Sequence, residues 1–204
     1  PFGLFAGCTT GKLGCKTGIL LSKSSEHERH TRLDMLYLCN LASALSKHPI
    51  IKSKLRYYPN TTLYKSGEQL RYIEYRYKKD KRTHHLVQVK NSLYIDFLLQ
   101  KAAKGITIKE IAKALTSKGI PKEHSESFIE KLIDNQILIS ELDPTVTGDE
   151  FFHRIISVIE PIDGIDSIKK TLNLIDNKIK ILDKEIGNKT SLYNDIVTDI
   201  KSLE

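Results

Sequence analysis

The apolar pattern between residues 63 and 142 switches from alternation to helical spacing, and this switch constrains the fold more than any other feature. Apolar and polar side chains first alternate with a period of two, which is typical of half-buried strands. Polar and charged sequences at residues 65–68 and 79–82 interrupt the alternation as turns would. The pattern therefore predicts three strands, at residues 63–64, 69–78 and 84–90.

Three helices and a short strand are predicted after these strands. Thr107 and Glu110 have the spacing of a capping box, and Gly119 is typical of a helix end. Apolar residues recur every three or four positions in helical segments at residues 92–104, 107–118 and 122–135, and a strand follows at 137–142. This order is that of a winged-helix-like module, with a three-stranded antiparallel sheet and three helices.

The flanking segments are predicted to be strand and helix on one side and helical on the other. Residues 1–23 predict two strands, the second at 18–21, and residues 26–47 predict a helix that ends before Pro49. The C-terminal part carries a three-heptad apolar seam and, after a break at residues 187–188, a second helical segment. We therefore expect an α+β fold with a C-terminal helical hairpin. The seam consists of Ile165, Ile168, Leu172, Ile175, Ile179, Leu182 and Ile186.

Composition says more about the compartment of the protein than about its function. Three cysteines without a CxxC pair argue against a disulfide scaffold or a zinc site and favour a reducing, cytoplasmic compartment. The apolar runs are too short for a transmembrane segment, and no charged region with an apolar stretch marks a signal peptide. The net charge of +7 favours an anionic partner. Because the chain starts at Pro1, we expect a piece of a longer protein.

Two short motifs invite catalytic interpretations. Residues 7–12 resemble a phosphate-binding loop, but the glycine spacing is one residue short, and Leu13 replaces the Ser or Thr that magnesium requires. On the predicted first helix, His30 and Asp34 lie one turn apart and would share a face with His27. A His–carboxylate pair can move protons or bind a metal, whereas a solvated first helical turn would have no such role.

Charge separates the predicted strands from the third predicted helix. That helix carries Glu123, Glu126, Glu130 and Asp134 against two lysines, which disfavours entry into a DNA groove. Basic residues dominate the strands instead, and a basic, aromatic sheet with an open edge suits an acidic peptide added as an extra strand. A half-exposed sheet with solvated lysines explains the same pattern. The basic residues are Lys65, Arg71, Arg76, Lys78, Lys79, Lys81, Arg82 and Lys90, against Glu68, Glu74 and Asp80.

Several segments in the right order resemble the lantibiotic dehydratase family. They are PFGLFAG at residues 1–7, RLDMLYL at 32–38, YPNTTLY at 58–64, and ILISELDP at 137–144 followed by Thr-Gly at 147–148. The resemblance implies an enzyme that modifies Ser and Thr of a precursor peptide, with glutamyl-tRNA as co-substrate. It divides the chain into part of a glutamylation domain (1–62), a leader-peptide recognition module of the kind found in enzymes that process ribosomally made peptides (63–143), and a helical segment (149–204).

The resemblance also implies site residues. The leader peptide would pair with the third strand at Leu86, Val87, Gln88, Val89 and Lys90. On the third helix it would meet Phe128, Leu132 and Asn135. Arg32 and Asp34 match the family's helix motif, so we expect them to act in glutamylation. The arginines that precede the first motif in the family would lie before Pro1.

Partners follow from the same resemblance. They are the precursor leader peptide and glutamyl-tRNA, with no duplex DNA, no bound cofactor and no metal, and a homodimeric parent is compatible with it. The chain is too short for the elimination domain, so it should not be active alone. Two other interpretations stay open: a winged-helix regulator that binds nucleic acid and dimerises through its heptads, and an interaction module without chemistry. The precursor peptide itself cannot be named from the sequence.

Overall fold

The α+β class is confirmed by the computed structural model, which describes residues 10–20, 23, 26–78, 81–145, 147–185 and 187–203, with the backbone alone for 77 and 78. The helices are α1 Met35–Lys47, α2 Pro49–Lys54, α3 Leu93–Ala102, α4 Ile108–Thr116, α5 Lys122–Asp134, α6 Phe151–Ile159, α7 Asp166–Leu182 and α8 Thr190–Lys201. The strands are β1 Arg56–Pro59, β2 Tyr64–Ser66, β3 Gln69–Lys78, β4 Lys81–Lys90, β5 Ile106–Thr107 and β6 Leu138–Ser140.

The first helix begins nine residues later than predicted. Asp34 ends the preceding extended segment, and its carboxylate accepts a hydrogen bond from the Tyr37 amide at 3.1 Å, as an N-cap does. Upstream, the amide and hydroxyl of Thr31 both donate to Asp183, the C-cap of α7, which holds this segment away from a helical path. His30 and Asp34 therefore do not share a helical face, and the prediction that they do is wrong.

The second of the two N-terminal strands predicted from the sequence is also absent where it can be checked. Residues 18–20 form no strand, and Ile19 and Leu20 are 89% and 99% exposed. A strand needs a neighbour to satisfy its amides and carbonyls, and the described residues place none beside this segment. Residue 21 and the first predicted strand lie outside the described residues.

One sheet has the order β5-β1-β6 and was only partly anticipated. Its central strand β1 pairs antiparallel with both neighbours, with Tyr57 opposite Ile106 on one side and Ser140 on the other. The tyrosine ring is 1% exposed, so this short strand is anchored in the core. Pro49, which ends α1, opens α2 at a position where its missing amide costs no hydrogen bond.

The other sheet is the predicted three-stranded one, in the order β2-β3-β4. Strands β3 and β4 pair along their whole length, from Gln69 opposite Lys90 to Lys78 opposite Lys81. Of the charged turn predicted at 79–82, residues 81 and 82 belong to β4, while 79 and 80 lie outside the described residues. Leu70 and Tyr72, 2% and 1% exposed, fix the core-facing side of this sheet.

The predicted helices follow in order. The capping box of α4 is present, with both Thr107–Glu110 hydrogen bonds formed. The heptad seam is buried along α7, from Leu172 to Leu182, and α8 packs against it as the second arm of a hairpin. Helix α6 was not predicted, and it places Phe151, Phe152 and Ile155 in the same core.

Candidate functional site

Strand β4 forms an edge of its sheet. It pairs with β3 on one side, and no other described strand lies on its outer side. An edge strand presents a row of amides and carbonyls that another strand can pair with. Leu86, near its middle, is 61% exposed and so leaves apolar surface open beside this edge.

The opposite edge of the same sheet is closed by side chains. Beyond the end of β2, Ile73 donates its amide to the Thr62 hydroxyl at 2.8 Å, and its carbonyl accepts from the Asn60 side-chain amide at 3.2 Å. At Tyr75, both backbone groups bond to the amide group of Gln136, at 3.0 and 2.8 Å. These contacts satisfy the outward-facing backbone groups of Ile73 and Tyr75, which β2 leaves uncovered. An added strand therefore has β4 as its open edge.

The closed edge also fixes which residues of β4 face outward. In an antiparallel pair, residues alternate between those that bond to the partner strand and those whose groups point away from it. Ile73 and Tyr75 point away from β4, and their cross-strand neighbours are Leu86 and His84. The same alternation adds Gln88. The backbone groups free for an added strand thus belong to His84, Leu86 and Gln88, whereas Val87 and Val89 bond back to β3.

The core-facing side of β4 lies next to the C-terminal end of α5. Tyr72, opposite Val87 in the ladder, donates from its hydroxyl to the Asn135 carbonyl at 2.7 Å. Burial raises the pKa of the Tyr72 phenol, so this donor keeps its proton. Among the predicted helix residues, Phe128 is half-buried and Asn135 is exposed. Leu132 is only 3% exposed and belongs to the hydrophobic core.

Arg32 and Asp34, the two residues predicted to be catalytic, lie just before α1 and at its N-cap. Arg32 is exposed and its Nε lies 2.9 Å from the Glu150 carboxylate. It borders a cavity of about 240 Å³ together with His153, Asp176 and Lys180. Asp34 caps α1, so the structure gives it a local role in addition to any chemical one.

A polar cluster that the sequence did not indicate lies between α1 and the β3–β4 pair. The Tyr75 hydroxyl donates to Asp143 at 3.1 Å, and the Arg82 guanidinium stacks 3.9 Å from the Tyr75 ring centre. Burial raises the pKa of the Asp143 carboxyl, against the opposing effects of Tyr75 and the nearby arginines. Burial likewise raises the pKa of the Cys39 thiol; Arg82 opposes this, while Asp34 and Asp143 add to it. Asp34 therefore lies within electrostatic range of this cluster.

No helix in the described ranges is both long and apolar enough to cross a bilayer. No three His, Cys, Asp or Glu side chains in those same ranges are grouped so as to hold a metal ion.

Comparison with known proteins gives matches to one protein family. A family model described as "Lantibiotic dehydratase, N terminus" matches residues 1–204. The epidermin biosynthesis protein EpiB of Staphylococcus epidermidis is 24% identical over 212 residues, which cover 100% of this chain and 21% of EpiB. The crystal structure of the tRNA-dependent lantibiotic dehydratase MibB from Microbispora sp. 107891 matches with a TM-score of 0.66 at 15% identity, over 86% of this chain and 18% of MibB. The chain thus spans about a fifth of the length of each relative.

Proposed function

Because the chain belongs to the lantibiotic dehydratase family, in its N-terminal part, we propose that β4 binds the leader of a precursor peptide as an added strand. The observation that carries the proposal is the contrast between the two sheet edges. Asn60, Thr62 and Gln136 close the edge of β3, and β4 is left open. Main-chain pairing supplies affinity in such complexes, and pockets for alternate side chains supply specificity.

The surroundings of β4 favour an extended peptide with acidic and apolar residues. An added strand would place alternate side chains beside Val87 and Val89, on the face of the sheet where Tyr72 bonds to the end of α5. Basic residues lie at both ends of the strand, at Lys81 and Lys90, and among the described residues neither has a carboxylate within ion-pair distance. An acidic residue at either end of the bound segment would therefore find a partner.

Helix α5 argues against the regulator interpretation. Its four carboxylates, predicted to repel a phosphate backbone, are all exposed: Glu123, Glu126, Glu130 and Asp134. Two of them meet lysines, with Glu126 3.9 Å from Lys122 and Glu130 3.8 Å from Lys52. These are surface pairs of small energy, and the helix keeps its net negative face. We therefore expect no specific binding of duplex DNA.

The second part of the proposal concerns the parent protein. We propose that Arg32 and Asp34 contribute to transfer of glutamate from glutamyl-tRNA to a Ser or Thr hydroxyl. The support is the family membership of the chain, together with the place of both residues at the start of α1, where Asp34 is the N-cap. MibB, whose fold this chain shares, is described as tRNA-dependent.

Edge variants test the first part. Titrating the protein into a labelled leader peptide, followed by fluorescence anisotropy, should give saturable binding, and a DNA duplex should not compete. Gln88→Pro removes an outward amide at a position where an edge strand tolerates proline, so the fold should persist. Binding should weaken roughly ten- to a hundredfold, which corresponds to about one to three lost hydrogen bonds.

Gln88→Ala is the matched control, since it shortens the same side chain and keeps the amide. Equal affinity of the proline and alanine variants would exclude strand addition at β4.

For the second part, Asp34→Asn in the full-length parent keeps an N-cap acceptor and removes the charge. Glutamylated intermediate should disappear while leader binding stays normal, and unchanged glutamylation would exclude Asp34.

A further inference from the structure

An open groove between α3 and α4 has no role in the proposal so far. Its volume is about 550 Å³, and it lies on a different part of the recognition module from the β4 edge. Phe97 and Lys101 of α3 form one wall, Lys113 and the segment to Lys118 form the other, and Gly105 lies between them. The lining therefore combines three lysines with one aromatic ring.

The groove has cationic groups available for a ligand. Among the described residues, none of Lys101, Lys113 and Lys118 has a carboxylate within 4.0 Å. The one acidic lining residue, Glu110, already accepts hydrogen bonds from the amide and hydroxyl of Thr107 at 2.8 and 2.9 Å. Those bonds lower the pKa of the Glu110 carboxyl and direct it toward the helix end. The net field in the groove is therefore positive.

Phe97 is half-buried, and the ammonium groups of two of these lysines lie over its ring, so a stacked base would take their place and leave them free for phosphates. The Lys118 and Lys101 ammonium groups lie 5.1 and 5.9 Å from the centre of its ring. Gly105 contributes bare backbone to the groove, because its φ of +81° and the Tyr58 ring, 2.6 Å from any added Cβ, exclude a side chain. Arg56 fixes this point further by donating to the Gly105 carbonyl at 2.9 Å.

We propose that this groove binds a single-stranded segment of RNA, with a base stacked on Phe97 and phosphates contacting the three lysines. An aromatic ring flanked by cations is the arrangement that recognises unpaired nucleotides, and an acidic peptide would leave the ring unused. A duplex, whose bases are already stacked, would also leave it unused. The inference rests on the RNA-dependent part of the proposed function and is independent of leader binding at β4.

Two sets of variants test the groove against a labelled single-stranded RNA of about ten nucleotides. Replacing Lys101, Lys113 and Lys118 together by Gln should make the salt dependence of RNA binding less steep. The slope of log K, where K is the association constant for the RNA, against log salt concentration should shrink in magnitude by roughly 2, since each phosphate contact contributes about 0.7. Phe97→Leu keeps an apolar side chain but loses stacking, and should weaken binding roughly 5- to 150-fold. The matched control replaces Lys170, Lys184 and Lys201 of α7, its C-terminal end and α8 by Gln, an equal loss of charge elsewhere.

The outcomes separate the groove from bulk charge and from leader binding. An equal loss in the two lysine triples would overturn the proposal, as would the absence of saturable RNA binding by the unaltered protein. A loss in the groove triple with no effect of Phe97→Leu would mean anion binding without base recognition, and would also overturn it. Leader affinity, measured in the same variants, should not change. If the unaltered protein does not bind the leader, only the proposal for β4 is overturned.

Discussion

The Tyr72 hydroxyl and the Asn135 carbonyl, 2.7 Å apart, join the middle of β3 to the C-terminal end of α5. Tyr72 is 1% exposed and lies opposite Val87 of the edge strand. One side chain therefore connects the helix end to the strand that neighbours β4. The end of α5 is therefore tied to the face of the sheet that an added strand at β4 would extend.

Tyr72→Phe should weaken this junction without creating a cavity. The ring is retained and one hydrogen bond is lost, so we expect the free energy of unfolding to fall by about 1 kcal/mol. Urea denaturation followed by circular dichroism would measure the change. Tyr64→Phe, at an exposed position, is the control and should stay within about 0.5 kcal/mol of the unaltered protein. Equal stability of all three proteins would mean that the Asn135 carbonyl is satisfied by water.

At Gln136, the contributions of backbone conformation and of side-chain hydrogen bonds to stability can be measured separately. It has a φ of +55°, and its side chain closes the β3 edge at Tyr75. Gln136→Ala should lose about 1–3 kcal/mol through the two missing hydrogen bonds. Gln136→Gly loses the same bonds but relieves the left-handed backbone, so it should be the more stable of the two by about 1 kcal/mol. If alanine is equal or better in thermal and urea unfolding, backbone strain at Gln136 is not significant.

The sequence predicted the elements whose signals are local. The alternation across residues 69–90 and the Thr107–Glu110 capping box need only their own neighbours, and both elements form as predicted. The buried face of α7 could be predicted in the same way, because apolar residues spaced by three and four determine which face of a helix is buried.

The remaining features depend on contacts between distant segments. Strand β1 has four residues and ends in proline, and only pairing with β5 and β6 makes it a strand. The start of α1 was placed too early because the contact from Thr31 to Asp183 spans 152 positions. The closure of the β3 edge by Gln136 likewise depends on the fold. For the candidate site, the edge strand was predictable, while the choice of His84, Leu86 and Gln88 as its outward residues was not.

Asp143→Asn should stabilise the protein at neutral pH or leave its stability unchanged. The folded-state pKa of this carboxyl is raised by burial, so the folded protein holds the proton to a higher pH than the unfolded chain. The contribution of Asp143 to stability therefore declines as pH rises above about 3.9, the ordinary aspartate value. Asparagine keeps an acceptor for Tyr75 without the charge. Its advantage over the unaltered protein, measured by urea denaturation, should grow from pH 4 to pH 7.

The exposed Asp149→Asn is the control for Asp143 and should show no comparable growth. A clear loss of stability in Asp143→Asn at pH 7 would reverse the interpretation. It would mean that attraction to Arg82 and Arg154 outweighs the cost of burying the charge.

Asp176 should behave in the opposite way. Its side chain is almost buried, which alone would raise the pKa, but hydrogen bonds from Lys180 at 2.5 Å and His153 at 2.9 Å outweigh burial and lower it. A lowered folded-state pKa gives stability that is present above about 3.9 and is lost as pH falls through the shifted value. Asp176→Asn should therefore destabilise the protein by about 1–2 kcal/mol at pH 7, the scale of hydrogen bonds to charged groups that are partly solvent-exposed.

The pH dependence distinguishes this charge effect from a packing effect. Asparagine has nearly the same volume, so its deficit in urea denaturation should shrink as the pH is lowered below 4 and the native carboxylate takes up a proton. Asp163→Asn, at an exposed position, should show no such convergence. A deficit that stays constant down to pH 3 would show that the fit of the carboxylate, and not its charge, holds α6 to α7.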